Sequence, residues 1–297
     1  MSSRARPHHD AADQRSAAIR ASHHYTVLQR FYERMFSSLA IHYPLWLPGT
    51  STMDEALQNP NRVMAEAAGV ARGMHVLDAG CGLGHSAFWL AETFGVRVTG
   101  ISIADSNIER CREIARERGL DRLVHFETRD FMRLDYPDAS FDVVWNLESV
   151  NYAHPRTDYL ADVLRILKPG GRWVGLDGFA DPMRCLIGRR RRWLKTVDRG
   201  FAFEPGHWQP AESMVPMLHD LGFVDAAVRD LTPYVPRQIE LSALLGTVKS
   251  AFMLRDLRTR PDKYWQRLRL FRAVFASYRL ISAGVTRYCL VSARRPD

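Results

Sequence analysis

The sequence predicts an α/β protein built on a doubly wound, largely parallel sheet, and three observations lead to that prediction. Short apolar strands alternate with amphipathic helices between residues 75 and 176, as they do in the crossover units of a parallel sheet. Closely spaced glycines follow the first of these strands. The chain has 297 residues, 46% of them hydrophobic and 25% charged, which is enough apolar material for a sizeable core.

Helical patterns precede the sheet region. Apolar residues recur at helical spacing from Tyr25 to Leu39, and a second helical pattern from Asp54 to Ala68 ends at Gly69. We therefore expect an N-terminal helical cap over residues 23–70. The polar segment before it, residues 1–22, is rich in Ala, Arg and His and is predicted to be a flexible arm.

Five strands and three helices are predicted in the core. The strands cover residues 75–79, 96–101, 124–128, 141–146 and 172–176. The helices cover residues 86–94, 105–118 and 159–167. Because helices connect most of these strands, we expect neighbouring strands to run parallel.

The alternation loosens after residue 178. A helix is predicted over residues 211–221, with strands over 223–231 and 285–293. The stretch 238–281 is mainly helical in pattern and too long for a simple turn. We therefore expect an α/β core made of residues 71–235 with 284–297, and an added helical lid or wall over residues 236–283.

Several features of the composition exclude other classes of protein. The sequence contains no run of 18 apolar residues, which is the length needed to span a bilayer. The basic N-terminus is not followed by the apolar segment of a secretory signal. We expect a cytoplasmic protein without stable membrane insertion. The four cysteines are widely spaced, which argues against a disulfide framework or a structural zinc site, and no metal site is predicted.

The strongest chemical signal is the segment Val76-Leu77-Asp78-Ala79-Gly80-Cys81-Gly82-Leu83-Gly84. A strand that ends in glycines before a helix lets the backbone approach a ligand at the carboxyl edge of a parallel sheet. A dinucleotide fingerprint would place a third glycine where His85 stands, and Asp78 would repel a pyrophosphate. The acid instead favours a nucleoside ligand that carries a cation. A purely structural turn is the remaining alternative.

This segment resembles motif I of the class I S-adenosylmethionine-dependent methyltransferases. The segment Asp138-Ala139-Ser140-Phe141-Asp142-Val143-Val144-Trp145 resembles the family's fourth-strand motif, and Lys168-Pro169-Gly170-Gly171-Arg172 resembles the turn into its fifth strand. The resemblance covers roughly residues 60–178. It implies a Rossmann-like α/β fold, S-adenosylmethionine as cofactor and methyl transfer as the activity.

The resemblance also implies a set of cofactor-binding residues. Asp78 and the backbone of Gly80 and Gly82 are expected to hold the amino-acid end of the cofactor. The second strand ends in Ser102 rather than the family's usual acid, as in cyclopropane fatty-acid synthases and sugar O-methyltransferases, and Asn107 takes the place of the amide that contacts the ribose there.

Two further cofactor contacts are implied around the adenine and the sulfonium. Asp130 with Phe131 matches the pair that recognises the adenine amine and ring. Asn146 begins the segment after the fourth strand, which lies beside the sulfonium in this fold. A turn-forming or capping acid is the alternative for Asp130.

The same segment contains the candidate catalytic residues. Glu148 resembles a glutamate of sterol and prenyl-diphosphate C-methyltransferases, where a fixed negative charge would stabilise a carbocation. Glu148, Tyr152 or His154 could then remove a proton from that cation. Alternatively, Glu148 caps the following helix or pairs with an arginine.

The N-terminal segment carries a second resemblance to sterol and tocopherol methyltransferases. Its residues Tyr25 to Glu33, followed by His42-Tyr43-Pro44-Leu45-Trp46, match an aromatic wall over the substrate. Tyr25 and His42 are therefore candidate catalytic residues, since aromatic faces stabilise cations. An aromatic stripe that belongs to the core is the alternative for Tyr25.

The basic residues concern the acceptor. The formal net charge is +8, and Arg189 to Arg192 form an unbroken basic run that could bind a diphosphate or be a solvated face. Mg²⁺ would be needed only if the acceptor were a diphosphate. The Asn-Pro-Pro-Tyr pattern of nucleic-acid amino methylases is absent, so no nucleic-acid partner is expected. A homodimer is the family-level expectation.

These observations predict an enzyme that methylates an apolar, optionally phosphorylated small molecule. The sequence favours carbon methylation of an isoprenoid alkene such as a prenyl diphosphate, through a carbocation stabilised by Glu148. The alternative is O- or N-methylation of a natural product, with His154 or a lid histidine such as His207 as general base. A non-catalytic scaffold that binds the cofactor is a third interpretation.

Overall fold

A computed structural model describes residues 39–181, 183, 188–203, 207–235 and 261–297. A seven-stranded sheet with the order β3-β2-β1-β4-β5-β7-β6 lies at its centre. The strands are β1 (His75–Ala79), β2 (Arg97–Ser102), β3 (Val124–Thr128), β4 (Phe141–Leu147), β5 (Leu167–Ala180), β6 (Val224–Asp230) and β7 (Thr286–Arg294). This sheet confirms the predicted doubly wound α/β class.

One strand departs from the predicted parallel arrangement. The first five strands pair parallel with one another, whereas β7 lies antiparallel between β5 and β6. The strand β5 is also longer than the predicted 172–176, because β7 pairs with it from Arg172 to Ala180. The sheet is therefore mixed, with its only antiparallel described strand contributed by the end of the chain.

Seven helices of eight or more residues flank the sheet in the described part of the chain. They are α1 (Met53–Ala68), α2 (His85–Phe94), α3 (Asp105–Glu117), α4 (Arg156–Ile166), α5 (Gly188–Phe201), α6 (Met214–Leu221) and α7 (Pro261–Ser282). The predicted arm, the helix from Tyr25 and lid residues 236–260 lie outside the described residues.

The boundaries of α1 follow from its sequence. The Thr52 hydroxyl accepts the amide of Glu55, and the Glu55 carboxylate accepts the amide of Thr52 in return. This reciprocal arrangement satisfies amides that lack a partner at a helix start. Gly69 ends the helix in the left-handed conformation that glycine adopts without strain.

The core has two layers, one on each face of the sheet. Trp145 of β4 and Phe88 of α2 belong to the layer that also includes residues of α1 and α3. Trp173 of β5 and Tyr159 of α4 belong to the opposite layer, which includes residues of α6. Both faces of the sheet are thus covered, as expected for a parallel sheet joined by helical crossovers.

Helices α5 and α7 pack closely against each other. The contact is tight at Gly200, where an added Cβ would lie 2.0 Å from the Cβ of Ala273. Val197 of α5 shares a small apolar cluster with Ala276 and Leu280 of α7. Helix α7 lies within the predicted lid, and its partner α5 comes from the preceding segment of the chain.

Among the described helices, none is both long and apolar enough to cross a membrane.

We predict that Gly200→Ala lowers the free energy of unfolding by about 1–3 kcal/mol, because the added methyl group forces α5 and α7 apart. The gain in helix propensity is smaller, at most about 1 kcal/mol. Thermal unfolding measures the change. The double variant Gly200→Ala/Ala273→Gly should recover stability, since it moves the methyl group across the interface.

Gly178→Ala is the matched control, because its added Cβ would meet only the Trp208 ring at 4.0 Å. A Gly200→Ala variant as stable as the unmodified protein would contradict this packing of the two helices.

Candidate active site

The glycine loop lies at the carboxyl end of β1, next to β4. Gly80, Gly82 and Gly84 have φ values of +95°, +53° and +77°, which other residues rarely adopt. A Cβ on Gly80 would lie 2.5 Å from the Cβ of Ser149, so only glycine lets the chain after β4 come this close. The strand order reverses between β1 and β4, and ligands of such sheets bind at this point.

Asp78 is the buried acid of this loop. Its side chain is only 2% exposed, and burial raises its pKa to about 7, although the amide of Ala87 opposes part of the rise. One carboxyl oxygen has no hydrogen-bond partner within the described residues. Because an unpaired buried oxygen is costly, the arrangement fits a ligand that supplies a cation or a hydrogen-bond donor.

Asn107 is the second buried group with an unpaired acceptor. Its side chain is 2% exposed, and its Oδ1 atom has no partner in the described part of the chain. This oxygen can accept a hydrogen bond from a ribose hydroxyl. The Ser102 hydroxyl, at the end of β2, accepts the backbone amide of Ala104 at 3.3 Å. Ser102 therefore shapes the turn before α3 while Asn107 presents the open acceptor.

The predicted adenine-binding pair lies on the other side of the glycine loop. Phe131 packs edge-on against Tyr159, with 5.1 Å between ring centroids, and its ring is 3.8 Å from the position of a Cβ on Gly80. Asp130 accepts the amide of Met132 at 2.9 Å through Oδ1. Asp130 thus forms the predicted turn and keeps a second oxygen for another partner.

Two predicted cofactor contacts are occupied within the protein. The Asn146 amide nitrogen donates to the carbonyl of Ala79 and to the Ser149 hydroxyl, and its oxygen accepts from the Tyr159 hydroxyl and the Trp173 indole. This fully buried side chain has no capacity left for a ligand, so the prediction that Asn146 binds cofactor is wrong and its role is structural.

The amide of Gly80 donates to the carbonyl of Ile101 at 3.0 Å, so that amide cannot hold the cofactor either. Gly80 instead permits the close approach of Ser149. The amide of Gly82 makes no backbone hydrogen bond within the described residues, and a Cβ added to Gly82 would lie 3.9 Å from Ile41.

Glu148 follows β4 and has a φ of +51°, which is uncommon for a residue with a side chain. Its Oε1 atom accepts the backbone amide of Tyr43 at 2.6 Å and the hydroxyl of Tyr288 at 2.9 Å. These contacts hold the carboxyl group from two directions. Burial raises the pKa of Glu148 to about 8, with a further rise from the charge of Asp177.

Three tyrosines surround the carboxyl group of Glu148. The Tyr43 ring lies edge-on to Tyr278 and to Tyr288, with centroids 5.1 and 5.3 Å apart. The Tyr43 hydroxyl donates to Ser277 at 2.6 Å, which joins the loop to α7. We call Tyr43, Tyr278 and Tyr288 the tyrosine cluster. Because Tyr278 and Ser277 belong to α7, the lid takes part in forming the site.

His42 pairs with His85, the first residue of α2. Its Nε2 atom lies 3.2 Å from His85 Nδ1, and its Nδ1 atom lies 3.2 Å from the carbonyl of Tyr43. Burial lowers the pKa of His42 to about 3 and that of His85 to about 4. Both rings are therefore neutral at pH 7. Since both nitrogens of His42 contact the protein, His42 positions the loop that carries Tyr43.

Two other candidate catalytic residues are not available to a substrate in the expected way. His154 is exposed on the loop before α4, and within the described residues it forms no hydrogen bond with a residue of the site. The Tyr152 hydroxyl donates to the carbonyl of Phe201 and thereby connects this loop to α5. The exposure of His154 does not favour it as the proton acceptor, so that role stays a prediction. Tyr25 lies outside the described residues.

A buried polar network beneath the site was not predicted. Asp177 of β5 accepts the amide and side chain of Asn151, and Asn151 in turn accepts from Arg156 at 3.0 Å. Arg156 also donates to the carbonyl of His207. Burial raises the pKa of Asp177 to about 6. This network fixes the chain immediately after Glu148. The sequence does not reveal it, because its residues come from three separate segments that no spacing pattern connects.

The basic run lies at the start of α5. The four side chains from Arg189 to Arg192 are all exposed to solvent. Within the described residues none of them forms a hydrogen bond or ion pair with a residue of the site. This placement corresponds to the solvated face that the sequence left open. Among the described residues no group of three His, Cys, Asp or Glu side chains could hold a metal ion.

Comparison with known proteins agrees with this geometry. Residues 76–171 match a family model described as a methyltransferase domain. A 27-O-demethylrifamycin SV methyltransferase of Amycolatopsis mediterranei (strain S699) is 39% identical over 258 residues, which span 86% of this chain and 90% of that protein.

Two solved structures share the fold across nearly the whole chain. The [4+2]-cyclase SpnF has a TM-score of 0.73 and 24% identity, with 93% of this chain and 94% of that chain covered. A geranyl diphosphate methyltransferase in complex with GPP and sinefungin has a TM-score of 0.70 and 19% identity, with 94% and 99% covered.

The glycine loop, the unpaired acceptors of Asp78 and Asn107 and these similarities lead to one assignment. The chain belongs to the class I S-adenosylmethionine-dependent methyltransferases and is an enzyme that methylates a small molecule.

Proposed function

We propose that this enzyme methylates a hydroxyl group of an apolar natural product, with Glu148 as the proton acceptor. The relative named for methylation of 27-O-demethylrifamycin SV supports an oxygen acceptor, because it aligns with 86% of this chain at 39% identity. The observation that carries the proposal is the placement of Glu148. Its carboxyl group lies at the carboxyl end of β4, held through one oxygen only.

The second oxygen of Glu148 is the atom offered to an acceptor. No hydrogen bond to Oε2 is found within the described residues, while Oε1 accepts two. A base is most effective when its pKa lies near the working pH, and the pKa of about 8 meets this condition. The histidines meet it less well, because His42 has a pKa of about 3 and His154 lies outside the site.

The proposed step has a simple balance of atoms. S-adenosylmethionine supplies an electrophilic methyl group. The acceptor oxygen forms a bond to the methyl carbon while the carbon–sulfur bond breaks, which leaves S-adenosylhomocysteine. The hydroxyl proton passes to Glu148 Oε2. The main work of the protein is to bring acceptor and donor into line, which accounts for several kcal/mol of barrier reduction (~7–11 kcal/mol in well-oriented reactions).

The buried acceptors on the β1 side suit the donor. We propose that Asp78 binds the amino group of S-adenosylmethionine and that Asn107 accepts a ribose hydroxyl. Phe131 would stack against the adenine ring, and the open oxygen of Asp130 would accept its amine. The geometry that supports this is the pair of unpaired, buried oxygens of Asp78 and Asn107.

Carbon methylation of an isoprenoid alkene is the second candidate, and the tyrosine cluster favours it. Three aromatic rings beside a carboxyl group could stabilise a carbocation. The raised pKa of Glu148 weakens this candidate, since a carboxyl group with a pKa of about 8 is mostly neutral at pH 7. Arg189 to Arg192 are exposed, so the basic run offers no buried site for a diphosphate and lends no support to a diphosphate acceptor or to the Mg²⁺ that would accompany it.

Assays with two acceptors separate these candidates. The enzyme is incubated with ¹³C-methyl S-adenosylmethionine and either 27-O-demethylrifamycin SV or geranyl diphosphate with Mg²⁺. We expect a methoxyl carbon in the product made from 27-O-demethylrifamycin SV and no transfer to the diphosphate, as read by NMR. A new carbon–methyl group on geranyl diphosphate would contradict the proposal and support the second candidate.

Glu148→Gln tests the proton acceptor. We expect the rate of methyl transfer at saturating donor to fall about 10²–10⁴-fold, because the amide cannot accept the proton. The rate of the unmodified enzyme should rise with pH to a plateau as Glu148 ionises, and the rate of the variant should not. Donor affinity, measured by calorimetry, should change less than about twofold, as residues of β1 and α3 hold the donor.

Glu113→Gln is the matched control, since Glu113 is an exposed glutamate of α3 that contacts only Arg110 in the described structure. Turnover by Glu148→Gln equal to that of this control would rule out proton transfer to Glu148.

The pH dependence of donor binding tests the role of Asp78. Its pKa is about 7 in the free protein, so the carboxyl group must lose its proton before it can pair with the cationic amino group of the donor. Below pH 7 the proton competes with the donor, so affinity should rise about eightfold between pH 6 and pH 7.5. Calorimetry should detect proton release across this range.

Asp78→Asn removes the titrating group, so the variant should bind the donor more weakly and lose most of the pH dependence. An equally steep pH dependence in Asp78→Asn would show that another group is responsible.

A further inference from the structure

The outward surface of the helix pair α5–α7 carries a concentration of positive charge. Nine exposed cationic side chains occur on the two helices: Arg189, Arg190, Arg191, Arg192, Lys195, Arg199, Arg269, Arg272 and Arg279. The one acid in residues 188–201 and 264–282 is Asp198, which accepts the Trp208 indole at 2.7 Å. Nine positive charges and one negative charge give this surface a net charge of +8, which is as large as the formal net charge of the whole chain.

Large aromatic side chains lie among these charges. Trp265 is 55% exposed and Phe275 is 41% exposed, although such side chains are usually buried. Together with Arg269, Arg272 and Arg279 they recur every three or four residues, so they follow one face of α7. The guanidinium of Arg279 lies 5.1 Å from the centre of the Phe275 ring. The neighbouring side of α7 carries Ala273, Ala276 and Leu280, which are buried.

We propose that this basic and aromatic surface of α5 and α7 docks the enzyme on an anionic lipid membrane. Lysine and arginine side chains are attracted to anionic headgroups, and tryptophan and phenylalanine insert at the interface between headgroups and acyl chains. Helix α7 carries both kinds of side chain on one exposed face, as membrane-surface helices do. The attachment is peripheral, in keeping with the lack of a spanning helix among the described residues.

The arrangement of the arginine run favours a membrane over an acidic protein. Four consecutive helical residues point in directions spread over about 300° of the helix circumference, at about 100° per residue. Arg189 to Arg192 therefore cannot all face one site on a folded partner, nor can they all face a planar bilayer at once. Those that do face the bilayer can each meet an anionic headgroup, because headgroups diffuse in the plane of the membrane, whereas a folded partner offers its acids only at fixed positions. A nucleic acid would satisfy the charges but gives Trp265 and Phe275 no apolar layer to enter.

The position of the surface connects docking to the active site. The inner side of α7 holds Ser277 and Tyr278 against Tyr43, beside Glu148. Tyr152, four residues after Glu148, donates to the carbonyl of Phe201 in α5. The helices that cover the site would thus lie between it and the lipid. A membrane position of the site is useful only if the acceptor is apolar and dissolves in the membrane, so this consequence rests on the proposed function. The docking of the protein on the membrane does not depend on that function.

Vesicle sedimentation tests the inference. The full chain is mixed with vesicles of phosphatidylcholine alone, or of three parts phosphatidylcholine to one part phosphatidylglycerol. We expect binding to the anionic vesicles only, weakened by high salt. Arg189→Glu/Arg190→Glu/Arg191→Glu/Arg192→Glu should reduce the affinity at least about 100-fold. Trp265→Ala/Phe275→Ala should reduce it about tenfold, because the apolar contribution is lost.

Four exposed arginines at the opposite edge of the sheet provide a matched control. Arg72, Arg97, Arg116 and Arg122 lie near the amino ends of the parallel strands, away from the lid. Changing all four to glutamate makes the same charge change and should leave vesicle binding within about twofold of the unmodified protein. Unchanged affinity for S-adenosylmethionine in each variant confirms that it is folded.

Three results would overturn the inference: no binding to the anionic vesicles, equal losses from the two sets of four changes, or tight binding of a mixed-sequence oligonucleotide with none to vesicles. Because sedimentation requires no methyl transfer, its outcome is independent of the proposed reaction.

Discussion

One buried amide joins the two halves of the active site. Asn146 connects the carbonyl that ends β1 to the segment after β4, and its own oxygen is held by Tyr159 and Trp173. Gly80 allows this close approach because it has no Cβ to meet Ser149. The consequence is that Asp78 and Glu148 lie at neighbouring strand ends, where a methyl donor and its acceptor can meet.

The site keeps two carboxyl groups in surroundings that oppose their ionisation. Burial raises the pKa of Asp78 to about 7 and that of Glu148 to about 8, above the values of about 4 in an unfolded chain. Their contribution to stability is present below the unfolded pKa and is lost as pH rises through 7 and 8. A bound cation would offset this loss at Asp78, because a nearby positive charge favours the ionised carboxylate.

The sequence predicted those parts of the molecule that depend on local pattern. The glycine loop, Asp78 and the strands through β4 follow from periodicity and residue type, whereas Glu148 was singled out by its resemblance to a glutamate of C-methyltransferases. The role of Asn146 was missed, because a sequence does not show whether an amide faces a ligand or the neighbouring strand. The partners of Glu148 were also hidden, since Tyr43 and Tyr288 are 105 and 140 residues away in the chain. His154 is polar and close in sequence to Glu148, yet it faces solvent.

The most direct test of this account is a crystal structure of the protein with S-adenosylhomocysteine. The account predicts the amino group of the ligand at Asp78, a ribose hydroxyl at Asn107 Oδ1, and the sulfur directed toward the carboxyl group of Glu148. A nucleoside bound away from the glycine loop, or a sulfur directed away from Glu148, would contradict it.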